Sequence, residues 1–277
     1  MDTHAVSSWS ELERWATLPA WNERLPWDER LPESSDGFRF VFRGQSSATW
    51  PIFSSLARHL LAHSPPVKPD EWRRRELKMY RSFRERILRL CPRLYDDLCP
   101  LEILSLMRHH SVPTRVIDFT EHPLVAAYFA VHNASDDSAI WVVDRRYINC
   151  LRVRSDLPEY AGPTHKPYAK ARKHDGATVV RPLGLHPRIA AQRGCFLIPG
   201  RISPSLPEHF LHTKVVLSES VIFEAKLKLS SHMITQDLLF PDLDAIAAEV
   251  TSFSTSSNPD FADAQDAPDV FPDTGAD

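Results

Sequence analysis

Apolar and polar residues alternate along the chain in runs short enough to be strands and in longer runs of helical spacing. Phe38 to Gly44 (FRFVFRG) sets aromatic or β-branched residues against arginines at period two, which predicts a strand stopped by a glycine. From about Asp70 to Leu90, the positions of Trp72, Leu77, Tyr80, Phe83, Ile87 and Leu90 suit one face of a helix, with charges elsewhere. Leu101 to His109 predicts a second helix, ended by the loop His110 to Pro113. Thr114 to Thr120 (TRVIDFT) reads as a strand that runs into a helix over Pro123 to His132, with proline near the first turn. Further strands are predicted at Ser138 to Asp144, Gly194 to Ile198 and Val221 to Leu229. A last helix is predicted from Leu238 to Val250, entered through Pro241.

These elements predict an α/β (α+β) fold, a mixed sheet with flanking helices in a single domain over residues 38–250. Residues 1–37 form a Trp-rich segment in which Ser8 or Ser10 is placed to cap a short helix through Trp15. Pro158 to Lys173 reads as a loop rich in Pro, His and Lys. Residues 251–277 are mostly Ser, Asp, Pro and Ala, the composition of a disordered acidic tail.

With 43% hydrophobic and 25% charged residues the chain falls in the ordinary globular range. No apolar run approaches the ~20 residues that span a bilayer. The N-terminus carries acids and a tryptophan where a signal peptide needs a basic start, so a soluble, cytoplasmic protein with no membrane partner is expected. Cys91, Cys99, Cys150 and Cys195 form no CxxC pair and are expected as reduced thiols. The net charge of -3 conceals an asymmetry: the tail holds six Asp and no Lys or Arg, leaving 33 basic against 30 acidic residues in the body. No long Lys/Arg block announces a nucleic-acid arm, so charge does not choose the partner.

Three constellations carry candidate chemistry. Phe42, Arg43, Gly44 and Gln45 end a strand with a guanidinium beside a glycine, where Arg can grip a phosphate while Gly lets a ligand approach the backbone; the bland alternative pairs Arg43 with a local carboxylate. His109 to Thr120 gathers two His, Arg115, Asp118 and Thr120 on one loop and strand. Strand alternation turns Asp118 and Thr120 to one face and Arg115 to the other. Here the alternative is that Asp118 caps the following helix or pairs with Arg115. Arg188, Gln192 and Arg193 precede a strand and offer an amide and guanidinium groups to a polar ligand edge, or else form a basic turn. No HExxH is present and His109 and His110 are adjacent, so no metal is expected; Walker A, GxGxxG and GxSxG are also missing.

Taken in order, FRGQ at Phe42 to Gln45, WPIFSSLAR ending at Arg58, HHSVPTRVIDFTEHPLVAAYFA from His109, PRIAAQRGCF from Pro187 and LFPDLDAIA from Leu239 resemble the FRG domain family, from about Phe42 to Val250. Phe119 stands where that family commonly has tryptophan, and His122 where it commonly has asparagine. The resemblance implies a fold more readily than an activity, because a strand ending in aromatic-Arg-Gly and a strand entering an A-x-Y/F-F-A helix are similar to the NAD-binding core of ADP-ribosyltransferases.

On that likeness, Arg43 with Gly44 and Gln45 binds the phosphates of NAD, and Asp118 or Thr120 lies near the nicotinamide ribose. Tyr128 or Phe129 packs below, and Arg115, Arg188 and Gln192 complete the ligand contacts. Loss of nicotinamide requires a carboxylate near the oxocarbenium-like ribose, for which Asp118, Glu224 and Glu76 are the candidates; Gln192 is the substitute for an acid. Arg43, His110, Asp118 and Gln192 around one cleft is the arrangement an active site requires.

The implied activity is that of an NAD-consuming ADP-ribosyltransferase or NAD glycohydrolase, serving as a toxin or defence effector. Its partners would be NAD, a protein or nucleic-acid acceptor, and an antitoxin or neighbouring regulator. The competing expectation is a non-catalytic nucleotide- or nucleic-acid-binding module that grips phosphates through Arg43, Arg115, Arg188 and Arg193. Lack of a usable carboxylate would favour the second.

Overall fold

A seven-stranded mixed sheet carries the molecule. The structure is a computed structural model and describes residues 1–25, 37–90, 100–146, 148, 177–180, 187–199, 202–241 and 251. Its strands are β1 (Asp2–Val6), β2 (Arg24–Leu25), β3 (Gly37–Phe38), β4 (Phe40–Gln45), β5 (Ile117–Thr120), β6 (Ser138–Asp144), β7 (Ala177–Val180), β8 (Gly194–Pro199) and β9 (Thr213–Leu217). Helices are α1 (Trp9–Ala16), α2 (Ser55–Leu61), α3 (Pro69–Leu90), α4 (Pro100–His109), α5 (Pro123–Val131), α6 (Pro187–Ala191), α7 (Glu219–Ser231) and α8 (Gln236–Leu239). The sheet order is β1-β9-β6-β4-β5-β8-β7, with β1 parallel to β9 and the other pairs antiparallel; β2 and β3 form a separate ribbon.

Strand alternation sorts side chains to two cores. Phe40, Phe42, Ile140, Val142, Val215 and Leu217 face one way and pack with α1, α5 and α7. Val41, Ile117, Phe119, Trp141, Val143 and Leu197 face the other way, against Ile52, Leu206 and Phe210. A third cluster joins α3 and α4 to the sheet through Tyr80, Ile103, Leu104, Met107, Phe196 and Ile198.

The glycine of the β4 motif is required by a helix. A Cβ at Gly44 would fall on the carbonyl oxygen of Ala126, 2.5 Å from Ala130 N and 2.9 Å from the carbonyl carbon of Phe129, all backbone atoms of α5. The close approach that requires glycine here is that of α5, and Gly44 also lines the cleft described below. Helix α5 is apolar around nearly its whole circumference and is buried accordingly. Its N-cap is His122, whose Nδ1 accepts from Leu124 N at 3.2 Å, the bond an asparagine oxygen would accept there. Burial, with help from Arg193 and His232, lowers the His122 pKa to about 4, which keeps the ring neutral and able to accept.

Several expectations change. Val221 to Leu229 is helix rather than strand: Val221, Ile222, Ala225 and Leu229 meet the core at helical spacing, while Phe223 and Leu227, which alternation would have buried, are exposed. The strand expected from Thr114 begins only at Ile117. Leu90, assigned to the apolar face of α3, is exposed, and the buried face of that helix instead includes Glu76. Within the Trp-rich N-terminal segment, β1 joins the edge of the main sheet and Trp9, Leu12 and Trp21 enter the first core. Of the final expected helix, Pro241 lies outside α8 and residues 242–250 lie outside the described residues, as do Cys91, Cys99, Cys150, the Pro158 to Lys173 loop and residues 252–277. Cys195 is buried and in no disulfide.

Gly44→Ala is expected to cost about 3 kcal/mol or more, since backbone of α5 rather than a side-chain end must move. Thermal unfolding checks this, and a Tm unchanged from wild type would contradict the packing argument.

Candidate functional site

Strands β4 and β5 share one bridging pair, Phe42 with Thr120, after which Gly44 and Asp118 do not pair. A cleft of about 1070 Å³ lies where they part. Five elements supply its polar walls: the end of β4 (Arg43, Gln45), α2 (Arg58), the last turn of α4 (Arg108, His109), β5 (Asp118, Thr120) and α6 with its following turn (Arg188, Gln192). Among the described residues, four arginines line this cleft with Asp118 as its one carboxylate.

Arg43 lies near the centre of this charge set. Its Nη1 donates to the Asp118 carbonyl at 2.6 Å and stands 3.9 Å from Asp118 Oδ2, while its Nε is buried without a hydrogen bond. The side chain is 16% exposed. Burial pushes Arg43 down to about 10; Asp118 opposes this, and Arg108 and Arg58 add to it, so the guanidinium stays protonated at neutral pH. Arg58 is lowered by the same causes, burial and the nearby Arg108, against Asp118.

Asp118 is held by Arg108, whose Nε and Nη2 donate to Oδ2 at 3.0 and 2.6 Å. Burial raises the carboxyl, but Arg108, followed by Arg43 and Arg188, outweighs it and leaves the pKa below the ordinary value. Asp118 is thus an anion at neutral pH and poorly suited to proton transfer. Neither expected alternative for Asp118 is its arrangement: His122 caps α5, and Asp118 pairs with Arg108 instead of Arg115.

Backbone geometry delivers these groups. Helix α4 closes with Ser111 in the left-handed region (φ 60°) and a bond from Val112 N to Met107 O at 2.8 Å, which turns the chain sharply after Arg108 and His109. Arg193 (φ 44°) does the same after α6. Thr120 Oγ1 donates to Gln192 O at 2.7 Å and Gln192 Nε2 donates to Leu239 O at 3.0 Å, so β5, α6 and α8 are tied together behind the cleft. The Arg188 guanidinium lies over the Phe240 ring, 4.3 Å from its centroid.

Of the expected site residues, Arg43, Gly44, Gln45, Asp118, Thr120, Arg188 and Gln192 meet at this cleft, with Phe129. Others do not line it. Arg115 is buried against Glu76, with Nε and Nη2 each 2.7 Å from Oε2 and its backbone N donating to Oε1 at 2.8 Å. This internal pair removes both residues as ligand contacts and pins α3 to the approach to β5. Glu224 accepts from Trp9 N at 3.2 Å on α7, and Tyr128 stacks on His132 at 4.9 Å between centroids. His110 is exposed beyond the end of α4, and His109 lines the cleft in its place.

Arg58 and Arg108 escaped the sequence reading. Each sits in the last turn of a helix, and for Arg108 a cue was available: a basic residue one turn before a loop that carries other candidates.

A mixed α/β protein with an arginine-lined cleft between parting strands is the class that these features define. Residues 38–139 match the family model described as the FRG domain, and the chain contains an FRG domain. The match includes Arg43, Arg58, Arg108, Asp118 and Thr120 and ends before Arg188 and Gln192. No curated protein and no solved structure matches the chain. No described helix is long and apolar enough to cross a membrane.

Arg108→Gln is expected to move the Asp118 pKa upward, followed by carboxyl NMR titration. The sign for stability follows from the lowered pKa: Asp118 stabilises the fold above the ordinary carboxylate value and loses that contribution as pH falls through its folded value. The substitution should shrink the acid-dependent part of the Tm curve; an unmoved titration would show that Arg108 does not govern the carboxylate.

Proposed function

We propose that the cleft binds the phosphates of a nucleotide, and that NAD or a related dinucleotide is the ligand class it takes. The observation that carries this reading is the set of four arginines on a single concave surface, with Asp118 as the one carboxylate among the described lining residues. Arg43 keeps an unpartnered buried Nε, and Gln45 an unpartnered buried Oε1, which are groups a bound ligand can satisfy. Guanidinium groups match phosphate oxygens in charge and geometry, and a recessed site strengthens the attraction relative to bulk water. The volume is also that of a sizeable organic ligand. Glu76 and Glu224 lie elsewhere and Asp118 is engaged by Arg108, so binding is better supported than catalysis.

A catalytic form of the same reading is favoured by Asp118 remaining ionised in the cleft beside Thr120. In it, NAD is cleaved at the nicotinamide bond and ADP-ribose passes to water or to a protein or nucleic-acid acceptor, with Asp118 stabilising the positive ribose. A toxin or defence role would rest on this form alone.

Calorimetric titration with NAD at low salt tests the binding, with nicotinamide release measured in parallel, with and without cell extract. Arg43→Ala should weaken binding about 10- to 100-fold, the loss of a charge-assisted contact. Binding should also weaken as salt rises. Wild-type affinity in the variant sinks the site; Arg43-dependent binding without nicotinamide release selects the binding module over the enzyme.

A further inference from the structure

Resting on the phosphate-binding reading, the geometry points to a base-stacking platform at the cleft mouth: we infer that Trp50 receives the aromatic base of the nucleotide whose phosphates the arginines hold. Trp50 is 56% exposed and lines the same cleft as Arg43 and Arg58. The other described tryptophans are not spent this way. Trp9, Trp21, Trp72 and Trp141 are buried, and Trp15 is half-buried against the first core.

The ring is exposed on a fixed stem. Ala48 N donates to Asp137 O at 2.7 Å and the Lys214 ammonium donates to Ala48 O at 2.6 Å. Thr49 N donates to Ser47 Oγ at 3.3 Å, and on the far side Gln45 Nε2 donates to Pro51 O at 3.3 Å. Ile52, two residues on, is in the core, where its carbonyl accepts from Leu206 N at 2.8 Å. The loop from β4 to α2 is thus bonded on both sides of Trp50, and the indole needs little further ordering when a flat ligand arrives.

The neighbouring wall is apolar, with Phe53 and Leu61 close in sequence and in the same cleft. Arg58 donates from Nη1 to Phe53 O at 3.0 Å, which links this aromatic end directly to the cationic one. A ligand that joins a polyanion to a flat π-system, the chemistry of a phosphorylated nucleotide, uses both ends, whereas inorganic polyphosphate would leave Trp50 unused.

The test titrates wild type, Trp50→Ala and Trp50→Phe with ADP and with pyrophosphate, with Tm recorded for each. Trp50→Ala should bind ADP about 10-fold more weakly while pyrophosphate affinity stays unchanged, and Trp50→Phe should retain most of the ADP affinity. Equal ADP affinity in wild type and Trp50→Ala, or a parallel loss of both ligands, overturns the stacking role while the phosphate site stands. Wild type that takes up neither ligand overturns the phosphate site and the platform with it.

Discussion

The contact between Gly44 and the backbone of α5 is the constraint on which the rest depends. It seats the helix leaving β5 directly on the end of β4, and only a residue without a Cβ permits it. With the two elements held so closely, β4 and β5 share the single pair Phe42 and Thr120 and then part. The cleft lies at that parting, so the same motif that packs the sheet also sets Arg43 and Gln45 on its wall. Helix α5 can occupy this position because its residues are apolar nearly all round and because a neutral His122 satisfies its first turn.

Electrostatics then divides the arginines into two kinds. Arg115 is matched in the interior by Glu76, and breaking such a buried pair leaves a stranded charge at a cost of about 3–5 kcal/mol. At the cleft, Asp118 is the one carboxylate among the described lining residues, and it orients Arg108 and steadies Arg43. The first arrangement holds the fold together. The second gathers guanidinium groups on an open concave surface, which is the physical basis for the phosphate-binding proposal.

Much of this was legible in the chain. The strand through Arg43, the helices at α3, α4 and α5, and β6 and β8 follow from periodicity, and Arg43, Asp118, Arg188 and Gln192 converge on one cleft as segments far apart in sequence. What periodicity misread has physical causes. The run from Val221 to Leu229 satisfies period two and a helical face together, and packing against α5 decides between them. Glu76 looks like an exposed helix charge until its partner, 39 residues later, is known. Trp50 and Arg58 bound the WPIFSSLAR segment and Arg108 directly precedes His109, but only the tertiary meeting of α2, α4 and the β4 to α2 loop places the three on one cleft.

Side-chain Nε–H NMR of the arginines, recorded as NAD is added, tests the central claim most directly. If the cleft takes the phosphates, the signals of Arg43, Arg58, Arg108 and Arg188 shift together and saturably, while that of Arg115, locked to Glu76, stays in place. Saturable shifts confined to the exposed arginines of α3, with the four cleft signals unmoved, would contradict it.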